Sequence, residues 1–221
     1  MDDPIKIQAM NGATYMMLQA RKPDRKSVLL LHGWTGDETS MWTLASMFDT
    51  GGLIASVRGF HKAEPGGYSW VEEMGSGLSG MDAFAASAEK LDVVVRDIIV
   101  RTGMDRHQLV LAGFSQGAAM ALAAAKYFSY KPAGVVAASG FLPEGDVSGL
   151  EEVQVFWGHG RNDDIIPITT ARDGAARLAS QGIEVAFCET DAGHKISHQC
   201  LRGLEDWIEA LPVEEHHLHG D

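Results

Sequence analysis

Residues 109–119, Leu-Val-Leu-Ala-Gly-Phe-Ser-Gln-Gly-Ala-Ala, constrain the fold of this 221-residue chain more than any other stretch. Four apolar residues run into Gly113-Phe114-Ser115-Gln116-Gly117, and a helix-forming segment follows. The pattern predicts a strand that turns sharply into a helix, with a serine at the apex. A Cβ at 113 or 117 would crowd the place where strand and helix nearly touch. Ala118 and Ala119 extend the same demand for small side chains. G-x-S-x-G alone is a weak signal in a chain with 25 glycines. Gly67-Tyr68-Ser69 and Gly77-Leu78-Ser79 also offer Gly-x-Ser, but neither follows an apolar strand or has a glycine two residues later. The strand–turn–helix setting makes 113–117 a candidate nucleophile elbow, whose strained turn projects the serine hydroxyl from the sheet edge.

The rest of the chain supplies a frame for that turn. Residues 6–10 and 14–19 flank Asn11-Gly12, a hairpin signal. Continuous apolar runs at 27–31 and 53–57 read as strands covered on both faces. Further strands are expected at 134–139, 153–158 and 183–188. Helices are expected at 37–48, 81–101, 116–128, 168–180 and 195–210, the second stopping at Gly103. Strands alternating with helices predict an α/β fold: a mostly parallel, doubly wound sheet with the N-terminal hairpin as an antiparallel edge. Residues 1–221 read as one domain, with 213–221 as a frayed tail. Residues 58–80, rich in Gly, Ser and Glu, form a long connection that could cover the serine.

A serine hydroxyl needs a base within hydrogen-bond reach, and the base needs an orienting partner. Enzymes with such an elbow carry them in the order Ser, acid, His. His194 follows a predicted strand and the turn Asp191-Ala192-Gly193, which places it at the C-terminal edge of the sheet. His159 reads as structural, His198 as packed or surface, and the tail histidines as solvated. Asp163 and Asp164 both lie just past a strand end, and spacing does not choose between them. An oxyanion needs two donors. The Gln116 N–H, at a helix N-terminus, is one, and the Trp34 N–H in the loop His32-Gly33-Trp34-Thr35-Gly36 is the other.

Charge and cysteines limit the alternatives. A net charge of −12 argues against nucleic acid and anionic membrane surfaces. No apolar run reaches spanning length. The start, Met-Asp-Asp-Pro-Ile-Lys, shows no signal peptide. Cys188 and Cys200 form no C-x-x-C and are read as making no disulfide framework, so a reducing cytoplasm is the simplest location. His194 and His198 lie one helical turn apart, but there is no H-E-x-x-H and no clear third ligand, so no metal is expected.

Six stretches together resemble the phospholipase/carboxylesterase family of α/β-hydrolases, which includes acyl-protein thioesterases and bacterial carboxylesterases. They are Leu31-His32-Gly33, Gly67-Tyr68-Ser69-Trp70, Gly113 to Ala118, Ser139-Gly140-Phe141-Leu142-Pro143, His159-Gly160-x-x-Asp163-x-x-Ile166-Pro167 and Gly193-His194-x-Ile196-Ser197. The resemblance implies the α/β-hydrolase fold, a Ser115–His194–Asp163 triad, oxyanion donors at Trp34 and Gln116, and no cofactor. Thr35 departs from the pattern, since related bacterial members usually carry a glycine there. The expected activity is hydrolysis of short- to medium-chain acyl or aryl esters, small-molecule substrates, through an acyl-enzyme. Trp70, Met74, Phe141 and Ile165 are candidate pocket residues. One alternative is an acyl-protein thioesterase or lysophospholipase. Another, of a different class, is a binding protein on the same fold with an inert site. Either a monomer or a homodimer is compatible with the sequence.

Overall fold

The computed structural model describes residues 3–48, 50–72 and 78–212. Its strands are β1 (Ile5–Gln8), β2 (Thr14–Leu18), β3 (Ser27–Leu31), β4 (Ile54–Val57), β5 (His61–Lys62), β6 (Tyr68–Ser69), β7 (Leu109–Phe114), β8 (Gly134–Ala138), β9 (Val155–Gly160) and β10 (Val185–Thr190). Its α-helices are α1 (Ala85–Thr102), α2 (Gln116–Tyr127), α3 (Ile168–Ser180) and α4 (His198–Ala210). Eight strands form one sheet in the order β1-β2-β4-β3-β7-β8-β9-β10, parallel from β4 through β10. β1 and β2 complete it as the expected antiparallel edge.

Alternation along the buried strands sends successive side chains to opposite faces. On β3, Leu29 and Leu31 enter a core with α1, α2 and α3. Val28 and Leu30 enter a second core with α4 and the segment Met41–Phe48. Every residue from Gln116 to Ala125 of α2 is buried, so this helix runs through the interior behind the elbow. Among the described residues no helix is long and apolar enough to cross a membrane.

Four expectations need correction. Residues 37–48 are not an α-helix. Asp37 Oδ1 gathers the N–H and hydroxyl groups of Thr39 and Ser40, which fixes a polar turn, and a 3-10 run follows at Trp42–Phe48. Strands β9 and β10 lie two residues later than their apolar runs suggest, because they extend together with Val185 opposite Val155 and Thr190 opposite Gly160. Helix α4 then begins at His198, capped by Ser197, and leaves His194 in the preceding loop. The cysteines are not independent either: Cys188 of β10 and Cys200 of α4 form a disulfide. That pairing removes the cysteine argument for a reducing compartment.

The 58–80 stretch is not a structureless cover in its first half. β5 and β6 pair as a short hairpin, Gly36 bridges to Tyr68, and Ser69, Trp70 and Val71 are buried. Residues 73–77 and the 213–221 tail lie outside the described residues.

Candidate active site

The elbow is held by backbone contacts that leave no room for side chains. Ser115 has φ 55° and ψ −119°, a conformation that non-glycine residues rarely adopt. Its N–H donates to the Ala138 carbonyl at 2.9 Å, and its carbonyl accepts from Ala118 N–H at 3.0 Å. A Cβ on Gly113 would sit 2.0 Å from the Gly117 carbonyl oxygen, and one on Gly117 would sit 2.1 Å from that of Leu31. The second contact brings the start of α2 against the end of β3. The loop after β3 therefore lies beside the serine, where a Cβ on Gly33 would be 3.3 Å from Ser115 Cβ.

That loop is clamped from behind. His32 is fully buried. Its Nε2 accepts from Gly59 N–H at 2.8 Å, so Nδ1 carries the proton and donates to the Gly33 carbonyl at 2.7 Å. Burial pushes the His32 pKa down and keeps the ring neutral. Trp70 Nε1–H donates to the His32 carbonyl at 2.7 Å. Thr35 has φ 65°, which is costly for a β-branched residue. Thr35 N–H donates to Tyr68 O at 3.0 Å and Tyr68 N–H to Gly36 O at 2.9 Å, so the β6 hairpin imposes the left-handed turn.

A second pair of side chains faces the elbow. His194 Nδ1 lies 2.8 Å from Asp163 Oδ2 and 3.0 Å from Oδ1. Asp163 Oδ1 also accepts from Ile165 N–H at 3.0 Å and Ile166 N–H at 2.9 Å. Burial pushes the Asp163 pKa up, but the Ile166 N–H, His194 and the Ile165 N–H outweigh it and hold the carboxyl below its ordinary value. Asp164 is exposed, so the geometry separates the two aspartates that spacing left open. The His194 ring packs on Phe114, the residue before Ser115, at 4.9 Å between centroids. His159 is buried, with Nε2 2.9 Å from the Ile166 carbonyl and 3.3 Å from Asp163 Oδ2. It supports the Asp163 loop from below.

Between the two loops lies a cavity of about 460 Å³, bordered by Trp34, Met41, Leu44, Phe114, Lys195 and Ile196. Three of the four pocket candidates do not border this cavity: Trp70 and Phe141 belong to the core and Ile165 is exposed. Met74 lies outside the described residues. Gln116 has a role that the sequence reading missed. Its buried side-chain carbonyl accepts from Trp70 N–H at 3.1 Å and from Ser69 Oγ at 3.2 Å. The signal available was a long polar side chain at the first position of an otherwise small, apolar helix.

The sheet order, the elbow after β7 and the histidine loop after β10 define an α/β-hydrolase. The family model for phospholipase/carboxylesterase matches residues 13–211, and the chain belongs to that family, one of hydrolases. It is 28% identical over 214 residues to acyl-protein thioesterase 1 of Debaryomyces hansenii, covering 85% of this chain and 92% of that one. It is 30% identical over 184 residues to acyl-protein thioesterase 1 of Kluyveromyces lactis, covering 69% and 75%. Among solved structures it resembles the Bacillus cereus carboxylesterase with a TM-score of 0.80 at 21% identity, over 89% of this chain and 93% of that one.

Proposed function

We propose that the protein is a serine carboxylesterase that hydrolyses short- to medium-chain acyl or aryl esters through an acyl-enzyme on Ser115. The observation that carries this reading is the Asp163–His194 hydrogen bond, set against Phe114 at the base of the serine elbow. With Nδ1–H committed to Asp163, His194 presents Nε2 as the basic nitrogen. That nitrogen takes the Ser115 proton as the hydroxyl attacks the ester carbonyl, then returns it to the leaving alcohol. Water activated by the same nitrogen releases the acid. Asp163, held ionised by its three donors, fixes the tautomer and stabilises the imidazolium.

The developing oxyanion is received by the backbone N–H groups of Trp34 and Gln116. The contact of Gly33 with the elbow supports this assignment, because the residue before Trp34 lies against Ser115. The cavity beside them has apolar walls, which suits an acyl or aryl group and suits a sugar or phosphate poorly.

Hydrolysis of p-nitrophenyl esters of increasing chain length, with Ser115→Ala alongside, tests the reading. Activity abolished in the variant is expected, with an optimum at short or medium chains. Equal rates in the two proteins would overturn it. The second reading, an acyl-protein thioesterase, is favoured by the two yeast relatives of that name. A higher kcat/KM on S-acyl than on O-acyl substrates would select it.

A further inference from the structure

Cys188 and Cys200 stand at equal distances in sequence on either side of His194, twelve residues apart from one another. The bridge brings their Cα atoms to 5.7 Å and closes the segment that carries the histidine into a ring. The two arms of that ring are held unequally. On the incoming arm, Asn162 N–H donates to the Ala192 carbonyl at 3.0 Å and Asn162 Nδ2 to the Asp191 carbonyl at 2.8 Å. The Gly160 backbone approaches the same peptides so closely that a Cβ there would lie 2.2 Å from Ala192 O. On the outgoing arm, Ser139 Oγ donates to the Lys195 carbonyl at 3.2 Å. Beyond it the chain enters α4, whose apolar face, including Leu201, Leu204 and Ile208, packs on the sheet.

Cys200 lies in the first turn of α4 and over Gly158 of β9, where a glycine Cβ would be 3.6 Å from Cys200 Cβ. Gly158 is paired with Cys188 on β10. The bridge thus pins the start of α4 to the two strands whose ends carry Asp163 and His194.

We propose that the Cys188–Cys200 disulfide positions His194 for proton transfer, so that reducing it lowers turnover without emptying the substrate cavity. The inference rests on His194 acting as the base at Ser115. The chemical step is reduction by a dithiol: the cystine accepts two electrons and two protons to give two cysteine thiols, and the dithiol becomes its cyclic disulfide.

The test is p-nitrophenyl butyrate hydrolysis by the oxidised protein, by the protein reduced with dithiothreitol, and after reoxidation, with two free thiols counted in the reduced form. A fall in kcat of about tenfold is expected, as for a misplacement of well under 1 Å. KM should change less than twofold, and kcat should recover on reoxidation. The His194 Nδ1–H proton resonance should broaden in the reduced protein while the helical circular dichroism stays unchanged. Cys188→Ala/Cys200→Val keeps apolar packing without the crosslink, and should show the lowered kcat and no response to dithiothreitol. An unchanged kcat and resonance with both thiols free, or in that variant, would overturn the inference while leaving the esterase reading intact. Activity retained in Ser115→Ala would overturn the esterase reading itself.

Discussion

Glu38 is the place where the support of the proposed oxyanion loop can be measured as a free energy. Its side chain is 1% exposed. Arg58 grips it with Nε at 2.6 Å and Nη2 at 2.7 Å, and Lys6 Nζ adds a contact at 2.6 Å. Arg58 also donates to Tyr68 OH at 3.1 Å and lies over the Tyr68 ring. The cluster therefore ties the segment after the loop to β4 and to the hairpin that clamps Thr35. The Arg58 hydrogen bonds, against the opposing effect of burial and aided by Lys6, lower the Glu38 pKa from 4.5 to about 2. A depression of that size corresponds to about 3 kcal/mol of stability near neutral pH. The exposure of Lys6 and the partial exposure of Arg58 reduce what a substitution would cost to about 2–3 kcal/mol.

Glu38→Gln leaves one acceptor for three donor groups and turns an N–H₂ toward a cation. Urea unfolding of both proteins from pH 7 to pH 3 is the assay. Because the folded pKa lies below the unfolded one, the carboxylate contributes fully above about pH 4.5, and its contribution fades as the pH falls toward about 2. The gap between wild type and Glu38→Gln should be about 2–3 kcal/mol at pH 7 and narrow by about 1–2 kcal/mol by pH 3. A gap below about 0.5 kcal/mol at pH 7, in the range of an exposed pair, or one that does not depend on pH, would mean that Glu38 does not hold the loop in this way.

Three further outcomes are expected. Gly117→Ala drives a Cβ to 2.1 Å from the Leu31 carbonyl oxygen, which backbone cannot relieve cheaply; a loss of at least about 3 kcal/mol should appear in urea unfolding. Thr35→Gly removes a left-handed threonine, a relief of about 1–2 kcal/mol set against about 1 kcal/mol for the greater freedom of unfolded glycine. Its stability should stay within about 1 kcal/mol of wild type, with kcat unchanged because Tyr68 still fixes the turn. Asp163→Asn should lower kcat about ten-thousandfold by releasing the His194 tautomer. Since the folded Asp163 pKa is depressed, its share of stability is present above the ordinary aspartate range and lost as pH falls through the folded value, so acid unfolding of the variant should lack that component.

Much of the fold was legible because the information is local. The buried strands are nearly continuous apolar runs, and the elbow glycines are demanded by contacts between neighbouring segments. His194 was legible as a residue just past a strand end, and so was the pair Asp163 and Asp164, between which only the family resemblance chose. What was not legible depends on which way a loop side chain turns. Trp70 and Phe141 look like pocket walls in sequence and are core, whereas Leu44 and Ile196 face the cavity. The Asp37 turn overrode helical spacing through four side-chain acceptances at one oxygen. The cystine escaped detection because a spacing of twelve residues says nothing until β10 and α4 are laid together.

In the proposed mechanism Trp34 acts through its peptide N–H alone, while the residue borders the cavity and is 45% exposed. Any amino acid other than proline supplies the same peptide N–H, so the side chain is released from the constraint that binds its backbone. Substrate preference can therefore drift, or be selected in a mutant library at position 34, without the lineage passing through an inactive intermediate. Gly113 and Gly117 offer no comparable route, and variation among descendants of this sequence should accumulate on the indole side of the cleft.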